Sequence, residues 1–198
     1  MTRKPRNRSA KQTALISAAT SLFARRGYQA TTTRAIAARA GCSEGLIHRY
    51  FGGKSGLLFD IVKLHVAQGA ATTIQHPASA TLKAEIQKLV DWQLDRFWKE
   101  REFLCVAFSC GILHPELGNL LSQYMPARAG LVAQRIRSYK ECRRSNDDIE
   151  VLARTLVSLS FDLGFIRPAI LRQNRRQTRN IARRAAALLS RSVLAGRG

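Results

Sequence analysis

The chain has 198 residues and a formal net charge of +20, from 33 Lys or Arg residues against 13 Asp or Glu residues. A content of 45% hydrophobic and 23% charged residues is typical of a folded protein with one sizeable core, not of a disordered chain. No apolar run reaches the length of a membrane span, and four cysteines do not make a disulfide framework. The charge favours a polyanionic partner, either nucleic acid or an anionic membrane.

The positive charge is concentrated at the two ends of the chain. Residues 1–55, the N-terminal basic region, contain eleven Lys or Arg residues and one acid, Glu44. Residues 56–166 contain thirteen bases and twelve acids, and residues 167–198, the C-terminal basic region, contain nine arginines and no acid. The first region predicts a polyanion-binding end, whereas the simpler interpretation of the last one is a solvated helix face.

The acid-free stretch 1–43 superficially resembles an organelle transit peptide. It continues without a linker into sequence with a core-like pattern, so we expect it to belong to the folded protein. Residues 1–10 are predicted to form a basic flexible arm in front of that fold.

Helical patterns follow this arm. Apolar residues at helical spacing over 15–23 predict an amphipathic helix, which Gly27 ends. A short second helix follows over about 31–40, and the turn Gly41–Ser43 leads into a third helix with Ser43 as its N-cap. A fourth helix begins near Lys54.

The remainder of the chain also predicts helices, and it shows neither an alternating strand pattern nor an internal repeat. Pro126 falls within one helical pattern and predicts a kink or break there. The fold class is therefore all-α. The further helices are expected at about 79–101, 103–114, 117–142, 147–171 and 174–195.

Two short helices joined by a glycine-containing turn describe a helix-turn-helix, whose second helix enters the major groove of DNA. The periodicity turns Ile47, Tyr50 and Phe51 inwards. Gly45 would let the backbone approach the base edges. The residues expected to face DNA from this helix are Glu44, Gly45, Leu46, His48 and Arg49.

Phosphate contacts are expected from both neighbouring helices. Thr32 and Thr33 place hydroxyl and amide groups at the start of the second helix. Lys54 places an ammonium group at the start of the fourth helix, within reach of the next phosphate.

The run from Leu15 to Leu58 resembles the DNA-binding domain of the tetracycline-repressor (TetR) family. The resemblance covers about the first quarter of the chain, and beyond it only the segment His114–Leu117 and the helical pattern are similar. Its matching features are Phe23–Tyr28, Ala30-Thr31-Thr32, Ile36–Gly41, Ser43, Gly45, Tyr50-Phe51 and Lys54.

The resemblance implies a homodimer of about nine-helix subunits. It implies a helix-turn-helix DNA-binding domain over 11–55 and a ligand-binding and dimerisation domain over 56–198. Binding of a small-molecule effector would change the separation of the two recognition helices and release the operator. The DNA-binding residues implied are Thr32, Thr33, Arg34, Ser43, Glu44, Gly45, Leu46, His48, Arg49, Tyr50 and Lys54.

Three of these positions depart from the family pattern. His48 stands where Tyr is usual, and Glu44 stands where Lys is frequent. Arg49 stands where His is common, and its guanidinium fork matches the O6 and N7 acceptors of guanine.

Other motifs have simpler explanations. Gly53-Lys54-Ser55 imitates the end of a P-loop, but His48 occupies the position of its first glycine. Cys110 and His114, with Cys105 nearby, have the spacing of metal ligands, yet such pairs often arise by chance, and buried cysteines with an ordinary histidine near a helix end explain them better. We predict no metal site and no cofactor.

The later helices supply a candidate effector pocket and a candidate dimer interface. Aromatic side chains between helices of a bundle can line a cavity, although most belong to the core. The pocket candidates are Trp92, Phe108, Tyr124 and Phe161. Two amphipathic C-terminal helices suit a four-helix interface, and its candidate anchors are Leu156, Leu159, Leu163 and Leu188.

The predicted function is that of a cytoplasmic, sequence-specific transcriptional regulator, a ligand-responsive repressor that binds a palindromic operator as a homodimer. A non-specific basic nucleic-acid-binding protein would explain the charge but not the nearly neutral middle of the chain. An enzyme on a helical bundle is the third possibility, and no catalytic arrangement is recognisable for it.

Overall fold

The structure, a computed structural model, describes residues 4–70, 74–111, 114–142 and 144–194. The regular elements in these ranges are all helices, which confirms the predicted fold class. They are α1 (Lys4–Arg26), α2 (Thr33–Arg39), α3 (Gly45–Phe51), α4 (Lys54–Ala70), α5 (Leu82–Lys99), α6 (Arg101–Gly111), α7 (Pro115–Leu121), α8 (Tyr124–Arg137), α9 (Asn146–Phe161), a π-helical segment (Asp162–Ile170) and α10 (Arg175–Leu194).

The chain forms two compact units. The first unit consists of Met1–Gln68 and Glu102–Leu121, so α6 and α7 join the first four helices. The second unit consists of Gly69–Arg101 and Ser122–Gly198, which contain α5, α8, α9, the π segment and α10. Helical periodicity within each segment does not reveal this discontinuous first unit. The functions that the sequence interpretation assigns to 11–55 and 56–198 stay predictions.

The first unit holds two very short helices in place through its core. Ile36 of α2 and Ile47 of α3 are completely buried, as is Leu15 of α1. Helices of seven residues are not stable in isolation, so packing of these side chains determines the position of α2 and α3. The apolar periodicity identified in the sequence is therefore the feature that fixes α3 on the first unit.

The first helix begins earlier than the sequence interpretation expects. The backbone is helical from Lys4, so residues 4–10 of the predicted arm are part of α1, and residues 1–3 lie outside the described residues. Pro5 does not prevent this, because a proline in the first turn gives up an N–H that has no intrahelical partner.

A proline also accounts for a difference between the predicted and the observed helices in the middle of the chain. The helix expected over 117–142 is divided into α7 and α8, with a turn at 122–123. Pro126 is the third residue of α8, where its missing N–H costs no intrahelical hydrogen bond. The predicted interruption is confirmed, and it precedes the proline.

The helix expected over 147–171 begins as α9 and continues as the π segment. Pro168 lies in this segment, which is wider than an α-helix. A Cβ atom at Gly164 would lie 3.0 Å from Leu94 Cα, so glycine permits the close approach of the π segment to α5.

Most described arginines of the C-terminal basic region are exposed, as its sequence suggests, but part of their charge is paired. Arg183 Nε of α10 lies 3.0 Å from both carboxylate oxygens of Asp91 on α5, and Arg179 pairs with Asp95. The Arg175 guanidinium lies 4.2 Å from the centre of the Trp98 ring. Acids and an aromatic ring on α5 therefore engage part of this positive charge.

No helix in the described part of the chain is both long enough and apolar enough to cross a membrane.

Candidate nucleic-acid interface

The turn between α2 and α3 has the geometry of a helix-ending Schellman motif. The Cys42 N–H donates to the Ala37 carbonyl at 2.9 Å, and the Gly41 N–H donates to Ala38 at 3.2 Å. Gly41 has a φ of +62°, which glycine adopts without steric cost. This turn, which the sequence predicts, changes the direction of the chain between α2 and α3.

Glu44, not Ser43, is the N-cap residue of α3, which corrects the predicted cap. The Ser43 side chain is exposed, and its carbonyl accepts a hydrogen bond from Leu46 N at 3.2 Å. The Ile47 N–H donates to the Glu44 carbonyl at 2.9 Å, so i→i+3 hydrogen bonds to both carbonyls form the first turn, and the Glu44 side chain makes no capping hydrogen bond.

The outer face of α3 has the exposure that the sequence predicts. Ile47 and Phe51 are buried, whereas Gly45, His48 and Arg49 are exposed. Leu46 and Tyr50 are half-buried; the Arg8 guanidinium lies 5.3 Å from the centre of the Tyr50 ring. The exposed side chains offer a basic, hydrogen-bonding surface, and their contacts with bases stay a prediction.

The two threonines at the start of α2 have different partners. Thr32 Oγ1 accepts a hydrogen bond from Ala35 N at 3.2 Å, which leaves its O–H free to donate to a phosphate. The Thr33 hydroxyl donates to Glu44 Oε1 at 2.5 Å. Thr33 therefore bonds to the Glu44 carboxylate in this structure, and the phosphate contact expected of it stays a prediction. Arg34, the next residue, is exposed.

Lys54 anchors the chain before α2. Its Nζ donates to the carbonyl oxygens of Tyr28 at 3.0 Å, Thr31 at 3.0 Å and Gln29 at 3.4 Å. An ammonium group has three donors, so these acceptors use all of them. These contacts give Lys54 a positioning role in the structure, and the direct phosphate contact expected of it stays a prediction.

Tyr28 is a residue of this region whose role the sequence interpretation did not foresee. Its ring centre lies 4.4 Å from Lys54 Nζ, 5.2 Å from the Phe23 ring centre and 6.1 Å from that of His114. Burial, with a smaller contribution from Cys110, raises the pKa of the Tyr28 hydroxyl. Tyr28 therefore packs α1, the start of α4 and the start of α7 together within the first unit.

The sequence candidates for metal ligands, Cys110 and His114, lie four residues apart. The His114 N–H donates to the Cys110 carbonyl at 3.0 Å. Among the described residues, no group of three His, Cys, Asp or Glu side chains is placed to hold a metal ion.

The four aromatic pocket candidates have different environments. Phe108 belongs to the first unit and is 41% exposed, whereas the other three belong to the second unit. Phe161 is half-buried, with its ring 5.4 Å from Phe97, and Trp92 is also half-buried. The Tyr124 hydroxyl contacts Glu100 and Arg128 in a buried polar cluster, and its role as a pocket residue stays a prediction.

Other residues line the cavities that the second unit contains. One cavity of about 190 Å³ lies between α8 and α9, and another of about 240 Å³ lies beside α9 and α10. Periodicity does not separate such lining residues from core residues, so no signal in the sequence identifies them. The smaller cavity is lined by Met125, Pro126, Ala129, Arg154, Val157 and Ser158.

The candidate interface leucines also separate into two groups. Leu156 and Leu163 are 1% and 2% exposed and pack inside the second unit, so the structure favours a core role for them. Leu188 is 64% exposed, and Leu159 is half-buried. The structure adds two exposed apolar residues, Val151 on α9 and Ile181 on α10.

Comparison with known proteins agrees with this geometry. Residues 15–61 match the family of bacterial regulatory proteins, tetR family. A stretch of 49 residues is 51% identical to the HTH-type transcriptional regulator HbdR of Aromatoleum sp. (strain CIB), over 25% of this chain and 21% of that regulator. The chain thus spans about a fifth of the length of this curated relative.

Two solved structures show that the fold extends over nearly the whole chain. A tetR-family transcriptional regulator from Streptomyces coelicolor has a TM-score of 0.69 at 18% identity, over 93% of this chain and 82% of its own. A Saccharomonospora viridis protein in complex with choline has a TM-score of 0.69 at 23% identity, over 96% and 100% of the two chains. Residues 15–61 therefore match the tetR family of bacterial regulatory proteins, and the chain as a whole shares its fold with these two solved proteins.

Proposed function

We propose that the chain is a cytoplasmic, sequence-specific DNA-binding transcriptional regulator that acts as a homodimer and responds to a small-molecule effector. The observation that carries this proposal is the exposed outer face of α3, anchored by Ile47 in a domain of the matched family. Its role is binding, with no catalytic step. Repression is the mode of regulation that the family resemblance favours.

The charges of the first unit support DNA as the partner. Among the described residues of 1–55, one ion pair forms, between Arg25 and Glu102 at 4.0 Å, and both side chains are substantially exposed. The exposed guanidinium groups of Arg34 and Arg49 therefore stay available for phosphates or base edges. Arg49 in addition has the donor geometry for guanine.

A homodimer is proposed because one short helix makes too few base contacts to define an operator. Two recognition helices would bind an inverted repeat with half-site centres about 34–36 Å apart, or a multiple of this distance. Val151, Ile181 and Leu188 are exposed apolar residues of α9 and α10 and are proposed to belong to the interface.

The second unit is the proposed effector-binding part. It contains cavities of about 190 and 240 Å³, and the Saccharomonospora viridis protein of the same fold was solved with choline bound. The effector would act by binding one arrangement of the dimer more tightly than the other. The difference between these two affinities is the largest change in operator affinity that it can cause.

Selection of bound sequences from random duplexes at about 150 mM salt tests the proposal. We expect an enriched inverted repeat, and we expect Arg49→Ala to lower the preference for guanine at one position of each half-site by about 1–3 kcal/mol. Binding without any enriched sequence would favour the non-specific basic protein instead. Failure to bind DNA would contradict both alternatives.

A further inference from the structure

The single acid of the N-terminal basic region lies on the surface proposed to bind DNA. Glu44 is the only Asp or Glu among residues 1–55, where eleven Lys or Arg residues surround it in sequence. Its side chain is exposed at the N-cap position, directly before α3. A carboxylate here repels phosphates, so it weakens non-specific DNA binding.

The Glu44 carboxylate is held by a neighbouring helix. The Thr33 hydroxyl of α2 donates to Glu44 Oε1 at 2.5 Å, across eleven residues of sequence. Thr33 is itself fixed at the start of α2, where Thr32 caps the helix through Ala35 N. One carboxylate oxygen is thus engaged by Thr33, and Oε2 is left to accept a hydrogen bond from outside the protein.

We propose that Glu44, oriented by Thr33, is a specificity-determining residue that selects a base with an exocyclic amino group, above all cytosine. This inference rests on the proposed function and assigns one position of the operator. An ionised carboxylate only accepts hydrogen bonds. In the major groove it therefore pairs with the N4 amino group of cytosine, and the O6 and N7 acceptors of guanine reject it.

Thr33 is a positioning residue for this carboxylate. Its hydroxyl contacts the carboxylate and restricts the direction from which Glu44 accepts a hydrogen bond. Removal of the hydroxyl should weaken the preference at the same operator position that Glu44 reads, and should leave the other positions unchanged.

The test is selection from random duplexes with wild type and five variants, each first shown by thermal unfolding to be folded. Glu44→Ala should reduce the preference for cytosine at one position of each half-site about tenfold. Glu44→Gln should move that preference towards adenine, because an amide pairs with the N6 and N7 groups of adenine. Thr33→Val should weaken the same position, and Thr33→Ser should retain it.

Glu116→Gln is the matched control, since Glu116 is an exposed glutamate in the first turn of another seven-residue helix, α7. It changes the net charge as Glu44→Gln does, and its selected sequence should equal that of wild type. A wild-type operator with no cytosine preference, or one that Glu44→Ala leaves unchanged, would overturn the inference and leave the proposed function intact. A wild type that enriches no sequence would overturn the proposed function itself.

Discussion

The two basic regions of the chain have nearly the same charge and different surroundings. The N-terminal region has eleven Lys or Arg residues with one acid, and the C-terminal region has nine arginines with none. In the structure, Arg179 and Arg183 pair with Asp95 and Asp91 of α5. In the N-terminal region, the described Arg34 and Arg49 are exposed, and the one acid is bonded to Thr33.

This difference shows that the number of cations in a segment does not measure its ability to bind a polyanion. Acids from a segment some eighty to ninety residues earlier neutralise arginines of α10, and no local count detects them. In the N-terminal region, Arg25 forms the one ion pair among the described residues, while Arg34 on α2 and Arg49 on the well-packed α3 are exposed.

The largest effect is expected from a break in the proposed dimer surface of the second unit. Leu188→Asp places a charge on an exposed apolar position, so the subunit should fold but dissociate. Operator affinity should then fall by about two orders of magnitude, because two half-sites no longer bind together. Sedimentation and titration of the operator measure both effects.

Leu156→Asp is the contrasting variant. It places a charge at a position that is 1% exposed, so it should unfold the second unit instead of yielding a folded monomer. If Leu188→Asp remains a dimer with full operator affinity, the interface lies elsewhere.

Glu85→Gln probes an acid of the second unit whose carboxylate accepts more hydrogen bonds than that of Glu44. Burial opposes ionisation of Glu85, but hydrogen bonds from Arg135, Ser79 and Tyr139 outweigh it and lower its pKa to about 2. Because the folded pKa is the lower one, the stabilisation is present above about pH 4.5 and is lost as the pH falls towards 2.

Replacement by glutamine should therefore reduce the free energy of unfolding by about 3 kcal/mol at pH 7. The difference from wild type should shrink between pH 4.5 and 2. Chemical unfolding at several pH values measures it, and a difference that does not change with pH would contradict the role assigned to the carboxylate.

Lys54→Ala tests how the N-terminal region is held for binding. Loss of the hydrogen bonds from the ammonium to Tyr28, Thr31 and Gln29 should destabilise the folded position of the segment before α2 by about 1.5–3 kcal/mol. Affinity for operator and random duplexes should fall together, about tenfold or more, since the change affects position and not base recognition. Lys63→Ala, an exposed lysine of α4, is the control. A loss confined to one operator sequence would contradict the positioning role.

The smallest effect is expected when the C-terminal region is made more like the N-terminal one. Asp91→Asn combined with Asp95→Asn frees the arginines of α10. Affinity for random duplexes at low salt should rise by a few fold, and the salt dependence should become steeper. Asp147→Asn with Asp148→Asn makes the same charge change at exposed positions of α9 and should have less effect. Equal effects of the two double variants would show that pairing does not matter.

Local patterns predicted much of the first unit and little of its side-chain pairing. The helical period placed Ile47 inwards and Arg49 outwards, and the glycine identified the turn at Gly41. The contact between Thr33 and Glu44 depends on how two helices approach each other, so no pattern within either helix contains it.

The second unit was harder to predict for a related reason. Helix α9 carries apolar residues on more than one face, so the buried Leu156 and the exposed Val151 are alike in sequence. Only the packed structure separates the residues of the core from those of a candidate interface.

The salt dependence of DNA binding in two matched double variants tests most directly whether the N-terminal region alone binds DNA. One variant is Arg34→Gln with Arg49→Gln, and the other is Arg176→Gln with Arg184→Gln on exposed positions of α10. We expect the first to bind the operator more weakly and to lower the slope of log affinity against log salt by about 1 for each phosphate that it no longer neutralises. The second should retain both the affinity and the slope of wild type. An equally large decrease in the second variant would contradict the assignment of DNA binding to the N-terminal region.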